Sequence, residues 1–304
     1  MFKKNKIYFL LLGFLFMLAQ EGFSAEKPIK VVTTIGQIMD AVKTIGGEHL
    51  SVQGLMGPGV DPHLYKASES DVQRLASADI IFYNGLFLEA KMEEIFKKMQ
   101  RKIKTVPAAE AIPIALRLDS QQFAGHYDPH VWFDVKLWTR VVEKIRDELV
   151  NFDPQHAAEY TARSAEYLLK LQELHTYVQG RCAELPLDQR VLVTAHDAFR
   201  YFGKAYQFEV IGLQGISTQA EAGAGDVKEL ADFITRRKIK AIFVESSVPE
   251  RNIRAVQEAV KSRGWNVKIG GELFSDAMGD AGTFKGTYIG MVTHNIDTIV
   301  NALK

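Results

Sequence analysis

Asp153–Pro186 reads "DPQHAAEYTARSAEYLLKLQELHTYVQGRCAELP", and its length decides how the rest of the chain is arranged. Asp153 offers a helix cap, and Pro154 suits a first helical position, where its missing N–H costs nothing. Ala158, Thr161 or Ala162, Ala165, Leu168, Leu171, Leu174 and Val178 then follow at steps of three or four, the spacing of one helix face. Gly180 is the only breaker before Pro186. The stretch predicts a helix of about 28 residues, ~42 Å long at 1.5 Å per residue. A rod of that length can span two lobes; the alternative is a long helix lying on one lobe alone.

On either side the chain repeats one pattern. Short β-branched runs ending in turn residues come before the helix as "IKVVTTIG", "LSVQGLMG", "ADIIFYNG" and "IKTVPAA". They come after it as "RVLVTAH", "FEVIGLQG", "AIFVESS" and "NVKIGGELF". Several lack strict alternation, as strands covered on both faces of a parallel sheet do. Amphipathic stretches such as "ASESDVQRLASA", "KMEEIFKKMQRK", "GDVKELADFITRRK" and "ERNIRAVQEAVKSRG" lie between them. The predicted class is α/β, with two lobes that each hold a mainly parallel four-stranded sheet flanked by helices. The expected boundaries are an N-terminal lobe over 25–152, the linking helix over 153–183 and a C-terminal lobe over 184–304.

Composition narrows the function. The 304 residues are 47% apolar and 24% charged, with Lys plus Arg equal to Asp plus Glu at 37 each, so no basic field points to nucleic acid. The single cysteine, Cys182, cannot form an internal disulfide. Residues 1–24, with Lys3, Lys4 and Lys6 ahead of an apolar run from Ile7 to about Ala19, have the layout of a secretory signal peptide. The run is shorter than the ~20 residues of a membrane span, so export is expected, with retention of the segment as an anchor as the alternative. No cysteine near the cleavage region offers a lipid attachment point.

The triplet Asp-Pro-His occurs twice, in "GVDPHLYKAS" and in "HYDPHVWFDVKLW". Proline fixes its own φ and biases the preceding aspartate to extended backbone, so His63 and His130 each follow a stiff, non-helical step. His196 closes "VLVTAH", Glu245 closes "AIFVE" and Asp276 follows "IGGELFS". Such residues lie outside the carboxyl ends of strands, where α/β sheets bind ligands. One histidine at a strand end is most often a turn residue. Three of them with one or two carboxylates, drawn from both lobes, match the donor set of a zinc-type site. His126 reads as a solvated loop residue or an occasional helper near the metal; His49, His156, His175 and His294 read as structural. No His-Glu-x-x-His, complete phosphate loop, dinucleotide fingerprint or Gly-x-Ser-x-Gly elbow is present.

"GLMGPGVDPHLYKAS", "DPHVWFDVKLW", "RVLVTAHDAFRYF", "IFVESSVP" and "GGELFSDAMGDAGTFKGTYIGMVTHNIDTIV" together resemble the zinc- and manganese-binding receptors (solute-binding proteins) of ABC transporters, of the TroA type. The resemblance extends from about residue 29 to the C-terminus. It implies a non-catalytic periplasmic receptor that binds one divalent cation, Zn2+ and/or Mn2+, in the cleft between lobes and delivers it to a membrane permease. The ligands it implies are His63, His130, His196 and Asp276, with Glu245 and, more remotely, Glu221 orienting the imidazoles. It also implies an inner-membrane permease and a separate ATPase as partners, and a monomer. Three imidazoles and one carboxylate favour Zn2+ over Mn2+ by ligand type. The stretch before His130 holds only His126, whereas zinc-dedicated relatives often carry a long histidine-rich loop there, and this argues for both metals. A metallohydrolase and a surface adhesin are the rival readings.

Overall fold

The computed structural model describes residues 27–120 and 124–304. The signal peptide expected over 1–24 lies outside the described residues. The first half runs β1 (Ile29–Thr33), α1 (Gly36–Gly46), β2 (Leu50–Gly54), α2 (Glu69–Ala76), β3 (Ile80–Tyr83), α3 (Glu93–Met99), β4 (Lys104–Pro107) and α4 (Val135–Phe152). After α5 (Ala157–Ala183), the second half runs β5 (Val191–His196), α6 (Arg200–Tyr206), β6 (Glu209–Gln214), α7 (Ala224–Arg237), β7 (Ala241–Glu245), α8 (Arg251–Lys261), β8 (Lys268–Leu273) and α9 (Tyr288–Leu303). Each strand falls within one of the β-branched runs. No helix among the described residues is long and apolar enough to cross a membrane.

The first half forms one parallel sheet in the order β2-β1-β3-β4, with Val31 opposite both Val52 and Ile80. The second half departs from the single four-stranded sheet expected of it. Its strands pair as two parallel ladders, β5 with β6 and β7 with β8, with β5 lying alongside β7. At the carboxyl ends of these neighbours, the His196 N–H goes to the Glu245 side chain instead of to a β7 carbonyl (2.9 Å). The β7–β8 ladder also slips between Ile242 and Val244. Gly271, at φ 142°, accommodates the extra residue, and a Cβ at Gly270 would lie 2.6 Å from the Phe243 ring. One inserted residue bends a strand and changes which way its later side chains face, and Asp276 lies just beyond this bulge.

The long helix forms, 27 residues and about 40 Å, preceded by a single tight turn over Pro154–His156. It packs on α1 and α4 of the first half and on α6 and α9 of the second, so it spans both. Its buried face differs in part from the expected one. Leu171, Leu174 and Val178 are inside, but the earlier contacts are made by Tyr160, Ser164 and Tyr167, while Ala158, Thr161, Ala162 and Ala165 face solvent. The tyrosines bring more apolar area than alanine, and their hydroxyls find acceptors in Asp153 and Asp40. One apolar core runs from β1 and α1 through α4 and α5 to α6 and α9. A second, smaller one lies under α7 and α8.

Candidate metal centre

Each Asp-Pro-His step is a turn closed by its own aspartate. The His63 N–H donates to Asp61 Oδ1 (2.8 Å) and the His130 N–H to Asp128 Oδ1 (3.0 Å), an aspartate-to-i+2 turn. Beyond His130, a tight turn over Val131–Phe133 leads to Asp134, whose carboxylate accepts from the Lys136 and Leu137 N–H groups and starts α4. His196 is the last residue of β5, and Glu245 is the last of β7. Asp276 follows β8 after Phe274, whose N–H and C=O are both held by the Asn295 amide.

These turns bring His63, His130, His196 and Asp276 together, all buried, with one donor atom from each lying within 4.8 Å of the others. His63 Nε2 and His130 Nε2 are 3.3 Å apart. Asp276 Oδ1 lies 3.3 Å from His130 Nε2, and its Oδ2 lies 3.2 Å from His196 Nε2 and 3.6 Å from His63 Nε2. A tetrahedral ion with bonds of ~2.0–2.1 Å sets its ligand atoms about 3.3–3.4 Å apart, so the cluster has the dimensions of such a shell. His196 Nε2 and both Asp276 oxygens are buried without a hydrogen-bond partner, an arrangement that costs free energy unless something fills it.

The other ring nitrogens are engaged. His130 Nδ1 is 2.8 Å from Asp128 Oδ1, and His196 Nδ1 is 2.6 Å from Glu245 Oε2. Each carboxylate fixes the tautomer that turns Nε2 toward the centre. Charge follows the same geometry. Burial pushes His63 down to about 3, against the pull of Asp276. Burial also opposes charge on His130, but Asp128 and Asp276 outweigh it and hold the ring at about 9. His196 is likewise raised well above its ordinary value, burial notwithstanding, by Glu245 and Asp276. Asp276 is held well below the carboxylate range, burial again being outweighed, by His196 and His130.

Glu221 does not join the cluster. It is exposed and paired with Arg251 (3.2 Å), because its loop faces solvent beside α8. His126 stacks on Phe87 (4.0 Å) and lines, with His63, a narrow space at the edge of the site. His175 and His294 bond to the Tyr206 hydroxyl and the Glu272 carbonyl. His49 stacks on His156 (3.7 Å) and sits near Glu48 and Glu159, but Arg163 already bridges those two carboxylates. Three neighbours of the site were not read from the sequence as contributors: Asp128 as a partner of the imidazole, Asn84 and Glu89. Asn84 Nδ2 donates to the Pro129 carbonyl (3.2 Å). The buried Glu89 carboxylate accepts the Asn84 and Gly85 N–H groups and the Thr34 hydroxyl. In doing so it braces a left-handed run at Gly85, Leu86 and Phe87.

Three imidazoles and a carboxylate, contributed by two α/β halves around a common helix, define a divalent-cation receptor of the two-lobed kind. The profile of the family described as "ZnuA: Zinc-uptake complex component A periplasmic" matches residues 31–302. The chain belongs to this family of metal-binding receptors of ABC transporters, which are transport proteins and not enzymes. It is 53% identical over 294 residues to the zinc-binding protein TroA of Treponema pallidum, covering 97% of this chain and 95% of that one. It is 49% identical to the manganese-binding lipoprotein MntA of Bacillus subtilis, covering 93% and 92%. The solved periplasmic zinc-binding protein TroA of Treponema pallidum superposes with a TM-score of 0.89 at 55% identity, covering 91% of this chain and 99% of that one.

Proposed function

We propose that this receptor captures one divalent transition metal ion, Zn2+ or Mn2+, and delivers it to a membrane permease for uptake. His63 and His130 supply the ligands of the first half, His196 and Asp276 those of the second, while Asp128 and Glu245 orient two of the rings. The observation that carries this reading is the buried group of His63, His130, His196 and Asp276 donor atoms, spaced as a coordination shell, with His196 Nε2 and both Asp276 oxygens finding no hydrogen-bond partner outside it. A shell closed by four protein ligands leaves no place for an activated water, which speaks for a carrier over a hydrolase. Both metals are supported by the zinc-binding and manganese-binding names of the relatives. The donor chemistry ranks Zn2+ tighter.

On this reading, residues 25–152 and 184–304 act as two lobes tied by 153–183. The chain works as a monomer in the periplasm, exported by residues 1–24, which are removed or kept as an anchor. An inner-membrane permease and a separate ATPase move the ion, and no nucleic acid is involved. Calorimetric titration of chelator-stripped protein with each metal tests the reading. One saturable site for Zn2+ and one for Mn2+ is expected, both weakened in His196→Ala. No saturable site for either would move an enzyme or an adhesin ahead of the receptor.

A further inference from the structure

The Asp276 turn is held from the other half of the molecule as well as from its own. Within the second half, Asn295 grips both polar groups of Phe274, and Ser247 Oγ lies 3.0 Å from Ser275 Oγ. From the first half, Trp132 Nε1 donates to the Ser275 carbonyl (3.1 Å), and Gln37 Nε2 reaches the same oxygen at 3.4 Å. Trp132, Gln37 and Ser275 are all fully buried. Trp132 is also two residues beyond His130, with its ring edge-on to that imidazole at 5.3 Å. Its own carbonyl accepts from the Tyr288 hydroxyl of α9 (2.7 Å).

We propose that Trp132 is a positioning residue that latches the Asp276 turn of the second half onto the His130 turn of the first. The inference rests on the metal-receptor reading and adds to it the means by which one half sets the other's ligand. The Ser275 carbonyl belongs to the peptide that joins Ser275 to Asp276, so an indole N–H fixed beside His130 sets where that carboxylate stands relative to the imidazole. A side chain that only filled space would not need its N–H aimed at this oxygen. Buried in a low-dielectric interior, the bond is strong, and its loss leaves the Ser275 carbonyl to the longer Gln37 contact.

Trp132→Phe removes the donor and keeps most of the ring. The test compares it with the wild type loaded with Co2+, whose visible absorption reports coordination geometry, and follows metal release to a chelator by stopped flow. Release from Trp132→Phe is expected to be roughly five- to tenfold faster, as loss of one buried hydrogen bond implies, with shifted Co2+ bands. Gln37→Leu, which removes the longer donor, supplies the same comparison with a smaller change if Trp132→Phe does not fold. Wild-type release and unchanged bands in the variant would overturn the latch while leaving the receptor reading intact. So would a lower melting temperature of the metal-free variant with unchanged bands, the mark of a packing role alone. A wild type that takes up neither Co2+ nor Zn2+ would overturn the receptor reading and the latch with it.

Discussion

A single buried carboxylate decides little until its partners are counted. Glu245 holds His196 twice, through the ring Nδ1 and through the backbone N–H. Glu245→Ala strands both donors in a buried site, and partners of this kind are worth about 10–100-fold in metal affinity. Competition against a chelator should read a loss of that size, and affinity within twofold of wild type would remove Glu245 from the site's support. Protons are the second residue-scale consequence. In the metal-free protein His130 sits at about 9 and His196 is also raised, so both carry a proton at neutral pH. His63, pushed down to about 3, carries none. A metal binds only the neutral ring, so loading expels protons from His130 and His196, and affinity should climb with pH until the raised pKa of His130, about 9, is passed. Proton release on adding Zn2+ to a weakly buffered solution measures this; no release, or affinity independent of pH, would contradict it. The four clustered residues were legible as candidates because each lies at or just beyond a strand end or on a proline-stiffened turn. Asp128 was visible only as a stiffener, since nothing in an Asp-Pro-His triplet says that the aspartate will also bond the ring. Glu221 misled because its partner, Arg251, lies 30 positions away.

Elements were read best where periodicity and length agree. The eight β-branched runs became strands, and the long helix formed within a few residues of its expected ends. The face of that helix was harder. Alanine is small enough to sit on either side, and tyrosine has an apolar body with a polar tip, so the first turns of α5 gave no clean stripe. Beyond Leu171 the aliphatic residues decide it. Leu171→Ala, at a position with no exposure, should cost about 2–5 kcal/mol, whereas Leu169→Ala, at 68% exposure, should stay within about 0.5 kcal/mol. Denaturant unfolding of the two variants checks this, and equal effects would mean that α5 is rotated from the face described. The split of the second sheet was beyond sequence reading, because nothing in either strand says that the His196 N–H will take the Glu245 side chain; the slip at Ile242 and Val244 was equally hidden, since it depends on what Gly270 and Gly271 meet across the ladder and in α9.

At the scale of the molecule, one apolar core runs through the first half, the long helix and two helices of the second, so the halves have little freedom to swing apart. Small-angle scattering of metal-free and metal-loaded protein should give nearly the same radius of gyration, and a wide opening without metal would show that α5 bends as a hinge. Two-lobed architecture was legible from the strand–helix pattern repeated on either side of the rod-like stretch. That the two lobes share a core was not, because nothing in the residues of α6 and α9 says that they pack on the long helix. The Asp276 oxygens, meanwhile, stand 3.2–3.6 Å from the three imidazole nitrogens, and all four side chains are buried away from solvent. A site this closely fitted and this deeply buried has its difficulty at unloading. Delivery requires four buried donors to let go of the ion, so each gain in affinity lengthens the time the ion stays bound. The ion held most firmly is then the poorest cargo, and a receptor filled with it is a receptor taken out of service.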